Sequence, residues 1–120
     1  MQYTWIMRKE IHKTIFILFL IVPSLIFSQN IYSVQYESQS DIKVYDVDYE
    51  SQCDLKVFKV EYASQVKGND GLWYFVDYES QADKKIYFVD YESQSDLKIF
   101  FVPYQSQAGW RENSKKHLLY

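Results

Sequence analysis

The tetrad Tyr-x-Ser-Gln occurs six times in this chain, and that recurrence constrains the fold more than any other feature. Its tyrosines are Tyr36, Tyr49, Tyr62, Tyr78, Tyr91 and Tyr104, and its glutamines are Gln39, Gln52, Gln65, Gln81, Gln94 and Gln107. Successive tyrosines are 13 residues apart, except for a central gap of 16. A fixed period over many copies marks a repeat architecture, in which one unit cannot bury its apolar face alone and neighbouring units complete a shared core. The copies agree upstream as well. Valine stands two residues before each tyrosine (Val34, Val47, Val60, Val76, Val89, Val102), and an aromatic stands four before it (Tyr32, Tyr45, Phe58, Tyr74, Tyr87, Phe100). Alternation over β-branched and aromatic residues is the pattern of a strand. Each copy therefore predicts a strand of about eight residues, such as Leu55 to Tyr62, roughly 25 Å long. On this reading the aromatic, the valine and the tyrosine share the face that builds the core.

Five residues, such as Glu50-Ser51-Gln52-Cys53-Asp54, separate one predicted strand from the next. Serine and aspartate favour turns by bonding nearby backbone, and a helical crossover needs at least about ten residues. The strands are therefore joined by tight corners. The long central gap contains Lys67-Gly68-Asn69-Asp70-Gly71 and divides the chain into two halves of three repeats. Three residues before the tyrosine, the first half carries Ser33, Asp46 and Lys59, while the second carries Phe75, Phe88 and Phe101. Strands buried on both faces lose their polar alternation, so the second half is expected inside the assembly and the first half is expected to keep a wet face. After Gln107 the pattern decays, and the apolar Leu118-Leu119-Tyr120 is expected to dock back on the core.

The 120-residue chain is one domain's length. Arg8, Lys9 and Lys13 precede an uncharged run from Ile15 to Phe27. A basic start followed by an apolar stretch too short for a membrane span reads as a secretory signal peptide. Cleavage between Ser28 and Gln29 is expected, giving a signal peptide over 1–28, an all-β repeat domain over 29–120, and a secreted or periplasmic protein. Residues 29–120 hold ten Lys and Arg against fifteen Asp and Glu, a net charge of −5. That balance argues against a nucleic-acid partner, which calls for a basic face. It also leaves no stable membrane span once the signal is removed. A monomer is expected. Cys53 is the single cysteine, so no internal disulfide can form.

The units YESQSD, YESQCD, YESQAD and YQSQAGW, with the tail Ser114-Lys115-Lys116-His117-Leu118-Leu119-Tyr120, resemble the septoil knot domain family over about Ile31 to Tyr120. The resemblance implies an all-β fold tied as a seven-crossing torus knot, in which the chain winds around itself twice. It implies no catalytic residues. Periodicity alone would not point to a knot, because knots are essentially absent from proteins. The alternative architecture built from the same strands is an unknotted β-solenoid or barrel.

No catalytic, metal-binding or cofactor motif stands out. Asp46, Asp48 and Glu50 alternate and could attract Ca²⁺, and Asp77 with Glu79 has the form of an acid–base pair. Every repeat carries such groups, however, so solvated strand edges are the simpler reading. Lys43, Lys56, Lys85 and Lys98 recur near these acids and suit cross-strand ion pairs. The repeated glutamine amides are expected to tie each corner to its neighbour's backbone. Cys53 falls where other copies have Ser40, Ala82, Ser95 and Ala108, which marks a small corner residue. Trp73 and Trp110 interrupt the repeat and are the candidate ligand-binding rings, for a glycan above all; as core caps they would be structural. The expected function is that of an exported, non-catalytic, unusually stable structural or interaction module, with an extracellular glycan-type binding module as the alternative.

Overall fold

The computed structural model describes residues 29–120, so the signal-peptide reading of 1–28 lies outside the described residues. Seven strands follow one another: β1 (Asn30–Ser33), β2 (Ile42–Asp46), β3 (Leu55–Lys59), β4 (Leu72–Phe75), β5 (Lys84–Phe88), β6 (Leu97–Phe101) and β7 (Gly109–Trp110). They are shorter than the expected eight residues. Each strand ends before its valine, and the tyrosine already opens a single 3₁₀ turn such as Glu37–Gln39.

The strand order is β4-β1-β5-β2-β6-β3, and β3 pairs back with β4, so the sheet closes into a six-stranded barrel. All six of these strands are parallel to their neighbours. Around this ring, strands of the first half alternate with strands of the second. That alternation resolves an apparent conflict. Paired parallel strands need a long crossover, yet these corners are short. Strands consecutive in the chain are not paired; each corner only steps over one strand of the other winding. Residues 34–41 cross β5, and the turns Glu79–Gln81, Glu92–Gln94 and Gln105–Gln107 pack on β1, β2 and β3. The longer link of residues 60–71 joins the neighbours β3 and β4 and carries the chain from the first winding into the second.

Register stacks the interior in tiers. Ser33 lies opposite Ile86 on β5, which lies opposite Ile42 on β2. The same two-residue step recurs where Val44 faces Leu97 and Ile99 faces Leu55. An even step keeps the same side-chain face inward on every strand. Ile31, Ile86, Val44, Ile99, Val57 and Trp73 form the central tier, and each is 0 % exposed. The backbone closes this tier: the N–H groups of Val34, Val47, Val60, Val76, Val89 and Val102 donate to Ile86, Ile99, Trp73, Ile31, Val44 and Val57 respectively, at 2.8–2.9 Å.

The barrel interior is therefore lined by the face opposite to the expected one, although five of the expected valines, Val34, Val47, Val60, Val89 and Val102, are buried as well. The motif tyrosines are 65–68 % exposed, and the aromatics four residues before them are half-buried on the outside. A six-stranded barrel has a narrow interior. Branched aliphatic residues fill it, whereas six tyrosines with six hydroxyls would overfill it. The halves are not inner and outer layers either. Both windings contribute equally to one ring.

Aspartates tie the windings together. Asp41, Asp54, Asp83 and Asp96 each clamp one residue of the strand that their corner crosses. Their N–H groups donate to the carbonyls of Lys85, Lys98, Asn30 and Lys43 at 2.7–2.8 Å. Their Oδ2 atoms accept from the N–H of the same four residues at 2.9–3.0 Å. In the sixth copy Gly109 replaces the aspartate. There the main chain pairs instead, as β7 runs antiparallel to Leu55 and Lys56. Gly71, at φ +92°, lies against the Lys56 carbonyl with no room for a Cβ. Leu119 is 1 % exposed and joins the core, and the Gln29 amide donates to its carbonyl at 3.1 Å. The C-terminal segment thus docks on the core, at the end where the strands begin.

Candidate functional site

Among the described residues, no terminal segment docks on the opposite end of the barrel, where Ser33, Asp46 and Lys59 are exposed. Its tier consists of Ser33, Phe88, Asp46, Phe101, Lys59 and Phe75 in ring order, from the same register. The three phenylalanines are half-buried, and the three polar residues between them are exposed. The difference between the halves seen in the sequence is therefore an alternation around one mouth. Lys59 lies between its two neighbours, its Nζ 4.5 Å from the Phe101 ring centroid and 5.2 Å from that of Phe75. Such a cation over aromatic faces is attracted by the ring quadrupole. Phe75 also meets the central Trp73 edge to face, at 6.1 Å between centroids. Loss of water around Asp46 raises its carboxyl above the usual range; Lys59 opposes that shift and Asp48 adds to it. The mouth is thus a side-chain plug with a charged rim.

The corners pack on the strands they cross. Strands that all run one way deliver all six motif tyrosines to the same end of the barrel. In four corners the glutamate pairs with the next strand's lysine: Glu37–Lys43 at 3.5 Å, Glu50–Lys56 at 3.8 Å, Glu79–Lys85 at 3.4 Å and Glu92–Lys98 at 3.4 Å. These pairs span a corner within one repeat and do not cross between strands as expected. The glutamines depart from expectation too. Gln65 Oε1 accepts from the N–H groups of Glu61 and Tyr62, inside its own corner, and the other five side chains are exposed.

Pairing disperses the carboxylates that looked like a site. Asp46 faces the mouth, Glu50 is held by Lys56, and Glu79 is held by Lys85. Among the described residues no group of three or more His, Cys, Asp or Glu could hold a metal ion, and no helix is long and apolar enough to cross a membrane.

The expected ligand rings are placed differently. Trp73 is 0 % exposed in the central tier and cannot meet a ligand at the surface. It fills the width that the narrow barrel offers to one large side chain. Trp110 is half-buried, and its Nε1 donates to the Asn69 carbonyl at 3.0 Å, which anchors the β3–β4 link. A polar cleft of about 320 Å³ opens beside Cys53 and Arg111. Arg111 already donates to the carbonyls of Glu50 and Cys53 at 3.1 Å, and Asp54 pairs with Lys115 at 3.5 Å. Burial raises the Cys53 thiol above its usual range, which leaves it protonated and unreactive. The charges lining this cleft are spent on holding the corner.

The interleaved ring and its repeat agree with a family match. The family model of the 7(1) septoil knot domain matches residues 28–111. The chain belongs to the septoil knot family. Two interleaved windings around one barrel are compatible with the double winding that the resemblance implies. No curated protein and no solved structure matches the chain significantly. Within the septoil-knot barrel, the charged aromatic mouth and the exposed motif tyrosines are open to solvent. Sequence reasoning took those tyrosines for core. Their phenol hydroxyls, repeated beside Ser and Gln at every corner, were the available signal that this position faces water.

Proposed function

We propose that this chain is an exported, non-catalytic interaction scaffold that acts as a monomer outside the cytoplasm, and whose chief physical property is slow unfolding. The observation that carries the reading is the β4-β1-β5-β2-β6-β3 ring. No strand can leave it without freeing both of its neighbours from the other winding, and a knotted path through that ring would make the opening slower still. Stability of this kind is a rate set by the unfolding barrier. It suits a protein exposed to proteases without disulfides to staple it, as Cys53 has no partner cysteine. The export component rests on the basic, then apolar, N-terminal sequence. The non-catalytic component rests on carboxylates that are engaged with lysines and backbone N–H groups.

The test is proteolysis of the purified protein in concentrated urea over days. An intact band supports a kinetically locked scaffold. Digestion at the rate of an ordinary small β-domain overturns it. Fractionation of producing cells addresses export: recovery of a product beginning at Gln29 outside the cytoplasm is expected, and a cytoplasmic product that retains Met1 refutes it.

A further inference from the structure

We infer that the mouth of the barrel holds a binding site for an alkylammonium cation, in the notch where Ser33 stands between Phe75 and Phe88. The inference rests on the reading of the chain as an interaction scaffold and deepens it by naming the chemistry that the scaffold takes. Its basis is the order of the mouth tier, in which phenylalanines alternate with Lys59, Ser33 and Asp46. One gap between phenylalanines already contains such a cation. Lys59 Nζ lies 4.5 Å from the Phe101 centroid and 5.2 Å from that of Phe75. Among the described residues it forms no ion pair with a carboxylate. The gap at Ser33 is its counterpart two strands further round the ring. It too lies between two phenylalanines, but its own side chain is too short to reach over them.

Phe75 stands between Lys59 and Ser33 in the ring, so the face turned away from the Lys59 ammonium is turned toward the notch. Trp73 meets Phe75 edge to face from the tier below and anchors it. Phe75 and Phe88 are half-buried and Ser33 is exposed, so the notch has anchored walls and an open top. Asp77 and Asp90 follow these two phenylalanines by two residues, which keeps them on the same face, and both are exposed. Asp48, their counterpart in the second copy, acts on the carboxyl of Asp46, which puts this position beside the mouth. Glu79 and Glu92 are neutralised by Lys85 and Lys98, whereas Asp77 and Asp90 form no ion pair among the described residues. Lys59 opposes a second cation at the mouth, and Asp46, Asp77 and Asp90 outweigh it.

These features select the ligand class. A cation over aromatic faces is attracted by the ring quadrupole, most strongly where water is excluded. The Ser33 hydroxyl offers an acceptor to an N–H, and the unpaired carboxylates attract positive charge from beyond contact distance. An anion meets those carboxylates as like charges. A neutral apolar group gains contact with the rings and nothing from the charge. Two sources carry an alkylammonium group: the lysine side chain of a protein partner and a small quaternary amine such as choline. The net charge of −5 over residues 29–120 works against a second copy of this chain as the source.

The test titrates the purified protein with choline and, separately, with a lysine-rich peptide, and reads the ring resonances of Phe75 and Phe88. Shifts at both rings with at least one probe are expected. A response to the peptide alone assigns the group to a protein partner, and a response to choline alone assigns it to a small amine. Dimethylbutanol, the neutral isostere of choline, should bind roughly three- to thirtyfold more weakly than choline. Ser33→Lys places an internal ammonium in the notch and should abolish the shifts. Lys59→Ser empties the counterpart gap and should add a second set of shifts at Phe101. Both substitutions fall at exposed positions, and an amide spectrum checks that the fold is kept. No shift with either probe, an equal response to choline and its isostere, or unchanged binding in Ser33→Lys overturns the inference. Protease resistance in urea is read on the same proteins. Its loss with binding intact sinks only the slow-unfolding scaffold, whereas absent binding with resistance intact sinks only this inference.

Discussion

The two ends of the barrel solve the same problem with different materials. At the end where strands begin, the chain itself seals the core. Leu119 is buried, Gln29 holds its carbonyl, β7 covers the edge of β3, and the Trp110–Asn69 bond pins the connecting link. At the end where strands finish, the sealing among the described residues is done by side chains, three phenylalanines alternating with Ser33, Asp46 and Lys59. The contrast separates stability from recognition. A chain-covered end excludes partners and tolerates little change. A side-chain plug leaves exposed charges, aromatic edges and the tyrosines of the corners in reach of solvent.

The largest expected effect compares equal truncations at the two ends. Leu119→Ala opens a cavity in a packed interior and should cost about 2–5 kcal/mol. Phe88→Ala, at the half-exposed mouth, should cost under about 2 kcal/mol, because the lost ring was partly in water. Urea midpoints measure both, and equal losses would mean that the mouth is as tightly packed as the sealed end. The next effect concerns the clamps. Asp54 is 6 % exposed, accepts from Lys98 N–H at 2.9 Å and pairs with Lys115. Asp54→Ala should cost about 1–3 kcal/mol by leaving a backbone donor without its acceptor. Hydrogen exchange should quicken at Lys98 first; protection unchanged there would show that the clamp is dispensable.

The smallest effect is a pH dependence of opposite sign at the two ends. Glu112, beside the C-terminal 3₁₀ segment, accepts from the Ser114 hydroxyl at 2.9 Å and from its N–H, which holds its carboxyl below the usual range. A lowered folded pKa contributes stability above the unfolded value that disappears as pH falls through the folded one. The raised pKa of Asp46 acts the other way. The folded chain holds that proton more tightly than the unfolded chain, so its contribution is present at low pH and is lost as pH rises through the raised value. Glu112→Gln should therefore flatten the acid side of a stability–pH curve, and Asp46→Asn should remove the loss on the rising side. Matching curves for both variants and the parent would separate neither end.

Much of the architecture could be read from the chain's pattern. Six strands, short corners, the special β3–β4 link and the docking of Leu119 follow from periodicity and turn chemistry, which are local. Two local signals misled. Alternation identifies two faces of a strand but does not say which is inward, and the aromatic face of Tyr32, Val34 and Tyr36 carries more apolar area than the face of Ile31 and Ser33. The change from Ser33, Asp46 and Lys59 to Phe75, Phe88 and Phe101 looked like two layers, because sequence order separates residues that the ring interleaves. For the same reason the mouth could not be seen: its six members come from six strands, and Lys59 meets Phe75 and Phe101 only through register.

By itself, then, the sequence determined that this protein is a β-repeat with six equivalent strands and corners, since backbone propensity and spacing act within one copy. Tertiary structure decided which face is core, because closing a narrow ring excludes large hydroxylated side chains from its interior. It also decided that the aspartates clamp strands 44–53 residues away, because only the double winding brings each corner across the backbone it holds.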